Sequence, residues 1–366
     1  MQNNEVEAIL HDYKNIAFYE DEVHKYCKSK NYNFIFNKKN GFFARWGKTR
    51  EEDPLYAPSP EILDCEITTS CSGIPNESGI RSPCTFCYKS NGPKGRNMSL
   101  ETFKKVLDAF PLTLTQVAFG ADAQAKANPD LWAMMDYCRE KKIIPNITVA
   151  DIDDETADKL VSHCGAVSVS RYANADVCYD SVKKLTDRGL KQTNIHCMVS
   201  LETFDMCMQT LKDRLTDERL SGLNAIVFLS LKKKGRGERF NSVGPEKFKE
   251  LVDFAFENKI GIGFDSCSAP KFLSAVKDLP NYKELEIMAE PCESLMFSFY
   301  VNVDGKAFAC SFAEGCGGWK DGIDMLNVKD FLKDVWYDKT VVKWRKNLIN
   351  NVDKKSKTRK CPIFEV

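Results

Sequence analysis

An excess of charge of either sign is absent from this sequence. Its 366 residues hold 52 Lys+Arg and 52 Asp+Glu, a formal net charge of zero. Such a chain does not hold a polyanion through bulk charge, which leaves only a local basic groove as a route to nucleic acid. Long apolar runs are also absent, since none approaches the ~20 residues needed to span a bilayer. The opening residues, Met1-Gln-Asn-Asn-Glu-Val-Glu, lack the charged-then-apolar order of a signal peptide. The expectation is a cytoplasmic protein with no membrane attachment. Histidine is scarce: there are four (His11, His24, His163, His196), none of them near the cysteine-rich loop described next.

Cysteine is plentiful, at 15. An odd count in a reducing compartment speaks against a disulfide framework. Cys138, Cys164, Cys178 and Cys207 fall within helix-like patterns and read as small buried hydrophobes. The loop cysteines are different. In Cys71-Ser-Gly-Ile-Pro-Asn-Glu-Ser-Gly-Ile-Arg-Ser-Pro-Cys84-Thr-Phe-Cys87-Tyr88, three thiols share a Gly-, Pro- and Ser-rich segment just after the apolar run Ile62–Thr69. Thiolates grouped in this way suit iron–sulfur clusters or zinc. Both usually take four such ligands, and this loop supplies three. On a four-iron cluster, three would leave one iron open to a small molecule. A zinc site would need a fourth ligand from Cys65 or a histidine.

Residues 5–30 have roughly helical spacing and predict a surface helix. Asn33-Phe-Ile-Phe-Asn37 and Phe42-Phe-Ala-Arg-Trp46 flank Asn40-Gly41, a hairpin signal. From Ile62 onward, β-branched runs alternate with helical patterns: Ile62–Thr69, Thr115–Gly120, Ile144–Ala150, Ala166–Arg171, Thr193–Ser200, Asn224–Leu231 and then Ile260–Ser266. This rhythm predicts a parallel sheet with right-handed crossovers, either open or closed as a barrel. In either form the functional groups gather at the carboxyl ends of the strands, where the three-cysteine loop emerges. Past Gly261 the pattern turns to a hairpin, Leu295–Val303 with Lys306–Cys310 about Asp304-Gly305. That region also carries Cys267, Cys292, Cys316 and Cys361. The expected organisation is an N-terminal helix and hairpin over 1–60, a main α/β unit over 61–261 and a small α+β unit over 262–366. The last has a modest core that a metal centre would help to stabilise.

These elements resemble the radical SAM superfamily. Cys84-Thr-Phe86-Cys87 matches the second half of that family's three-cysteine motif, although the first gap, usually three residues, is here twelve. The Asp304-Gly305…Cys310 hairpin is similar to the SPASM/Twitch extension of its peptide- and protein-modifying members. The resemblance implies a partial (β/α)6 TIM-like barrel with a small C-terminal α+β iron–sulfur domain. It implies that Cys71, Cys84 and Cys87 hold a [4Fe–4S] cluster with one open iron, on which S-adenosylmethionine is cleaved to a 5′-deoxyadenosyl radical. Phe86, Gly120, Asp122, Ser168, Ser170, Arg171 and His196 stand where relatives contact the cofactor, and Ser200 and Gly235-Arg236-Gly237 are weaker candidates. A second, auxiliary cluster would be held by Cys267, Cys292, Cys310 and Cys361, with Cys316 as the substitute. The implied partners are a peptide or protein substrate and an electron donor such as flavodoxin or ferredoxin. Crosslinking, epimerisation or oxidation of a side chain would be the outcome.

Plainer readings stand beside these. Asp122 can be a strand-end cap and His196 a satisfied strand-end histidine. Cys197, facing away from His196 and Met198, can be packing. Lys232-Lys-Lys-Gly-Arg-Gly237 reads as a solvated loop. For the whole chain, the alternatives are a radical SAM dehydrogenase or rearrangement enzyme on a small carbohydrate or cofactor precursor, and a non-catalytic zinc-stabilised binding protein.

Overall fold

A computed structural model describes residues 15–76, 78–353 and 358–365. A four-stranded antiparallel sheet comes first: β1 (Ala17–Glu20), β2 (His24–Lys28), β3 (Asn33–Asn37) and β4 (Phe43–Trp46), paired in chain order. The β3–β4 hairpin turns at Asn40-Gly41, where Gly41 takes φ 75°. The helix expected over 5–30 is not what forms. Residues 17–28 are two strands, and residues 5–14 lie outside the described residues. Asp21 accounts for the difference. Its carboxylate accepts the N–H groups of Val23 (2.7 Å) and His24 (2.6 Å), closing the β1–β2 turn. That side-chain-to-backbone pattern also marks a helix N-cap. The buried face of this sheet, with Cys27, Phe34 and Phe36, packs against Met296, Phe297 and Leu348.

The main sheet has ten strands. After β5 (Ile62–Glu66) a small separate pair forms, β6 (Ile74–Pro75) with β7 (Arg81–Ser82). The large sheet then takes β8 (Gln116–Gly120), β9 (Ile144–Val149), β10 (Ala166–Ser170), β11 (Thr193–Val199), β12 (Ala225–Ser230), β13 (Ile262–Phe264), β14 (Ser298–Val301), β15 (Lys306–Phe308) and β16 (Ile323–Asp324). Its spatial order is β13-β12-β11-β10-β9-β8-β5-β14-β15-β16. From β13 to β14 every pairing is parallel, and β14–β16 are antiparallel. Helices begin where capping residues stand: Ser99, Asp153 and Asn174 each accept a backbone N–H from the first turn that follows.

Alternation along the strands separates two faces. Val167, Val169, Ile195, Cys197, Val199, Ile226 and Phe228 are buried in the core that the helices cover. Ser168, Ser170, Asn194 and His196 take the other parity. β14 lies parallel to β5, with Ser298 opposite Ile62 and Val301 opposite Cys65. The C-terminal hairpin thus extends the main sheet, and a division at residue 262 falls at the start of β13. One core cluster runs from Leu63 to Trp344. Among the described residues, no helix is long and apolar enough to cross a membrane.

Candidate functional site

The twelve residues between Cys71 and Cys84 fold back on themselves. In the β6–β7 pair, Ile74 lies opposite Ser82 and Pro75 opposite Arg81. Arg81 fastens the pair, with Nη1 2.5 Å from Asp151 Oδ2 and Nη2 donating to the Gly73 carbonyl at 2.8 Å. Gly73 has φ 79°, and a Cβ there would lie 1.9 Å from the Ser82 carbonyl oxygen, so only glycine fits. The long gap therefore returns its two ends to one place. Cys71 and Cys84 pack on the same small apolar patch of Ile74, Ala123 and Ala150. The Cys84 thiol is hydrogen-bonded to that of Cys87.

Electrostatics favour a thiolate at Cys87. The Cys84 hydrogen bond, the backbone N–H groups of Asn91 and Lys89 and the Arg236 charge draw Cys87 down to about 6 against burial. Its partner Cys84 is driven up, first by that same hydrogen bond and then by burial. Arg236 is fastened here: Nε donates to the Cys84 carbonyl (2.8 Å), Nη2 to that of Asn91 (2.8 Å) and its N–H to that of Cys87 (3.0 Å). The Gly73 N–H points at Cys71 Sγ, 3.4 Å away.

Hydrogen-bond role separates two groups among the cysteines. Cys178 and Cys207 donate to carbonyls of Val169 (3.9 Å) and Met198 (3.5 Å). Cys65 and Cys164 rest 3.9 Å from the thioethers of Met98 and Met135. These behave as protonated packing groups. At Cys71 and Cys87 the sulfur accepts backbone N–H bonds, the arrangement that stabilises thiolates and the sulfurs of clusters. The same holds at Cys310, which accepts from Ala313 and Phe312, and at Cys361, which accepts from Phe364 at 3.3 Å.

The four C-terminal cysteines chosen from sequence are neighbours. Cys267 follows β13, and its thiol is hydrogen-bonded to Cys292, which with burial pushes it well up. Cys310 is raised by burial and then by Cys267 and Cys361. The buried ammonium of Lys232 lies near Cys267 and Cys310. Cys316 is on the Cys310 loop, where its N–H donates to Ala313 and where it acts with Cys310 on Lys234. Among the described residues, no group of three or more His, Cys, Asp or Glu side chains is placed to hold a metal ion. At four of the seven, Cys71, Cys87, Cys310 and Cys361, the sulfur accepts backbone N–H bonds, which fits iron–sulfur ligation.

Sequence reasoning missed how the two cysteine sets are joined. Lys89 Nζ meets Glu66 (3.1 Å), the Tyr300 hydroxyl (2.9 Å) and the Glu314 carboxylate. Tyr88 lies against Phe312 with ring centroids 4.2 Å apart. Lys234 Nζ donates to the carbonyls of Phe312 (3.0 Å) and Glu314 (2.6 Å). The stretch read as a solvated loop is instead a clamp. Lys232 is buried against Asp265, and of the three lysines only Lys233 is exposed. The readable signal was Gly235: at φ 57°, its Cβ would sit 2.4 Å from the Tyr88 carbonyl oxygen.

The expected cofactor contacts divide. Phe86 stacks on Tyr172 (5.2 Å, 14°) and meets Phe240 edge-on at 5.9 Å. Tyr172, not singled out from sequence, is hydrogen-bonded to Ser170 and Cys84. Ser170 and His196 are direct neighbours across β10 and β11, on the same face as Ser168. Burial draws His196 down to about 4 against the pull of Asp265, so its imidazole is neutral. Gly120 ends β8 beside Glu66. Asp122 uses both oxygens on its own loop, accepting from Gln124 (3.1 Å), Lys126 (2.9 Å) and Ala127 (2.9 Å). It does the work of a cap. Arg171 lies one residue past Ser170 and takes the opposite parity. It is 5% exposed. Its guanidinium is 5.4 Å from the Tyr179 ring, and its charge acts on Cys178 and Cys207 on the helix side. The Ser200 hydroxyl pairs with Thr203, and Cys197 is fully buried.

No family model matches the sequence, and no curated protein does. Solved structures do. SuiB of Streptococcus suis bound to the precursor peptide SuiA matches at TM-score 0.64 and 14% identity. SuiB bound to S-adenosylmethionine matches at 0.65 and 12%, and a further SuiB structure at 0.62 and 12%. Each match covers 96% of this chain and 99% of SuiB. The chain has the SuiB fold. Likeness to SuiB at this identity concerns the course of the backbone, and the large, mainly parallel sheet belongs to that shared course.

Proposed function

We propose that the chain is a radical SAM enzyme that modifies a peptide or protein side chain. The observation that carries this reading is the three-cysteine loop. It stands at the carboxyl end of β5, within a fold shared with a protein solved bound both to S-adenosylmethionine and to a precursor peptide. Cys71, Cys84 and Cys87 would hold a [4Fe–4S] cluster, and Cys267, Cys292, Cys310 and Cys361 an auxiliary one. When bound, the first cluster supplies the electron that splits S-adenosylmethionine into methionine and a 5′-deoxyadenosyl radical able to take hydrogen from an unactivated C–H bond. Gly73 and Arg236 set the loop and its charge. Phe86 and Tyr172 exclude water beside Cys84, and the polar face bearing Ser168, Ser170 and His196 receives the cofactor. A flavodoxin or ferredoxin is the expected electron donor.

Anaerobic purification tests the reading directly. Two cubanes predict ~8 iron per chain on the four-iron stoichiometry. The Cys71→Ala/Cys84→Ala/Cys87→Ala variant should retain about half of that iron and lose reductive S-adenosylmethionine cleavage. Zinc in place of iron, or cleavage that persists in the variant, would refute the assignment.

A further inference from the structure

A cleft of about 770 Å³ opens among the segments that follow β11 and β12, the first turn of the helix Ala269–Val276 and the C-terminal tail at Ile363–Glu365. Leu201, Val243, Pro245, Pro270 and Phe364 give it apolar walls. Lys271 lines it at 6% exposure, and among the described residues its ammonium has neither a hydrogen bond nor an ion pair. The nearest carboxylate acting on it, Asp265, is already engaged by the Ser230 N–H (3.2 Å), the Ser268 hydroxyl and Lys232. The carboxylates of Asp353 and Glu365 also line the cleft, neither in an ion pair with Lys271. Burial, helped by the Lys232 charge, draws Lys271 down to about 8, and Asp265 opposes this. The first turn of the same helix has no side-chain cap, so its N-terminal field also favours an anion. Lys271 Nζ itself opens onto the cleft and is not among the fully shielded unpartnered atoms. An ammonium on a mostly buried stem, facing a cleft with no protein partner, is the kind of group that marks a ligand site.

We infer that this cleft holds a carboxylate-bearing ligand, with Lys271 Nζ donating to the carboxylate and the apolar walls taking the chain attached to it. The carboxylate has two possible sources, a peptide or a small free acid. The peptide source rests on the function proposed above, whereas the site does not.

The test is calorimetric titration of the full chain with four probes: N-acetylleucine, N-acetylleucinamide, and acetyl-Gly-Leu-Pro-Phe-Leu with a free or an amidated carboxyl end. The acids should bind at least tenfold more tightly than the amides. Lys271→Met should erase that preference, while Lys271→Arg and the rim control Lys233→Met keep it. A peptide acid that outcompetes N-acetylleucine identifies the peptide as source; comparable binding of the two identifies the small acid. Should Lys271→Met fail to fold by circular dichroism, the wild-type chain with 13C-dimethylated lysines serves instead. N-Acetylleucine should raise the titration midpoint of the Lys271 resonance and N-acetylleucinamide should not. Acids and amides that bind alike, or an unmoved midpoint, overturn the inference. Cleavage of S-adenosylmethionine is assayed on the same preparation. A chain that cleaves it without any carboxylate preference sinks this inference alone, and a chain with the preference but no iron sinks only the function proposed above.

Discussion

Asp64 lies within β5 with the same parity as Glu66 and Ile62. Burial, and then the charge of Glu293, push its carboxyl up to about 7. A folded-state value above the unfolded one makes the folded chain bind the proton more tightly. The contribution is complete below about 3.9 and is lost as pH rises through about 7. Asp64→Asn should therefore stabilise the chain more at pH 7.5 than at pH 4.5, by at most about 4 kcal/mol at ~1.36 kcal/mol per unit. Urea unfolding at the two pH values measures this, and an equal gain at both would dismiss the buried-carboxylate explanation. The same residue scale shows what could be read in advance. Ser168, Ser170 and His196 share a face because strand parity is written into the sequence. Arg171, one residue on, was grouped with them because relatives contact the cofactor at the end of that strand; its parity is opposite to theirs, and its guanidinium lies 5.4 Å from the Tyr179 ring.

Elements with caps and regular periodicity were legible: Ser99 begins its helix, and the βα rhythm gives the strands from β8 to β13. Two elements were not. The β1–β2 hairpin hid behind Asp21, whose side chain serves a turn and a helix start in the same way. The β6–β7 pair has two residues per strand, too few for any alternation to show, so the twelve-residue gap looked open-ended. Gly73 gives that element its consequence. Gly73→Ala would force a Cβ to within 1.9 Å of the Ser82 carbonyl oxygen at φ 79°, so the hairpin must open. With it open, Cys71 and Cys84 no longer pack on the same Ile74 patch. The variant should keep the far-ultraviolet dichroism of the wild type and its C-terminal iron, while losing about half the total iron on the four-iron stoichiometry. Full iron content would show that the pair does not bring the ligands together.

For the molecule as a whole, the decisive contacts are those between residues distant in sequence, which no local pattern reports. β14 joins β5 across more than two hundred residues, and Lys89 stands between Glu66 of the main sheet and Glu314 of the C-terminal loop. One cation between two carboxylates, with the Lys89 side chain only 13% exposed, makes this junction sensitive to its centre. Lys89→Met leaves both carboxylates facing each other without a counter-charge, and breaking a buried pair in this way costs about 3 kcal/mol. Since the junction touches the loop after Cys87 on one side and the loop after Cys310 on the other, the loss should reach both sites. Iron should fall at each of them together, alongside the lower urea midpoint. Adding Glu314→Gln removes one of the stranded charges, so the double variant should be more stable than the sum of the single losses allows. If only one site lost iron, the two centres would be separate units that happen to touch; a joint loss makes the Lys89 junction the part that sets their spacing.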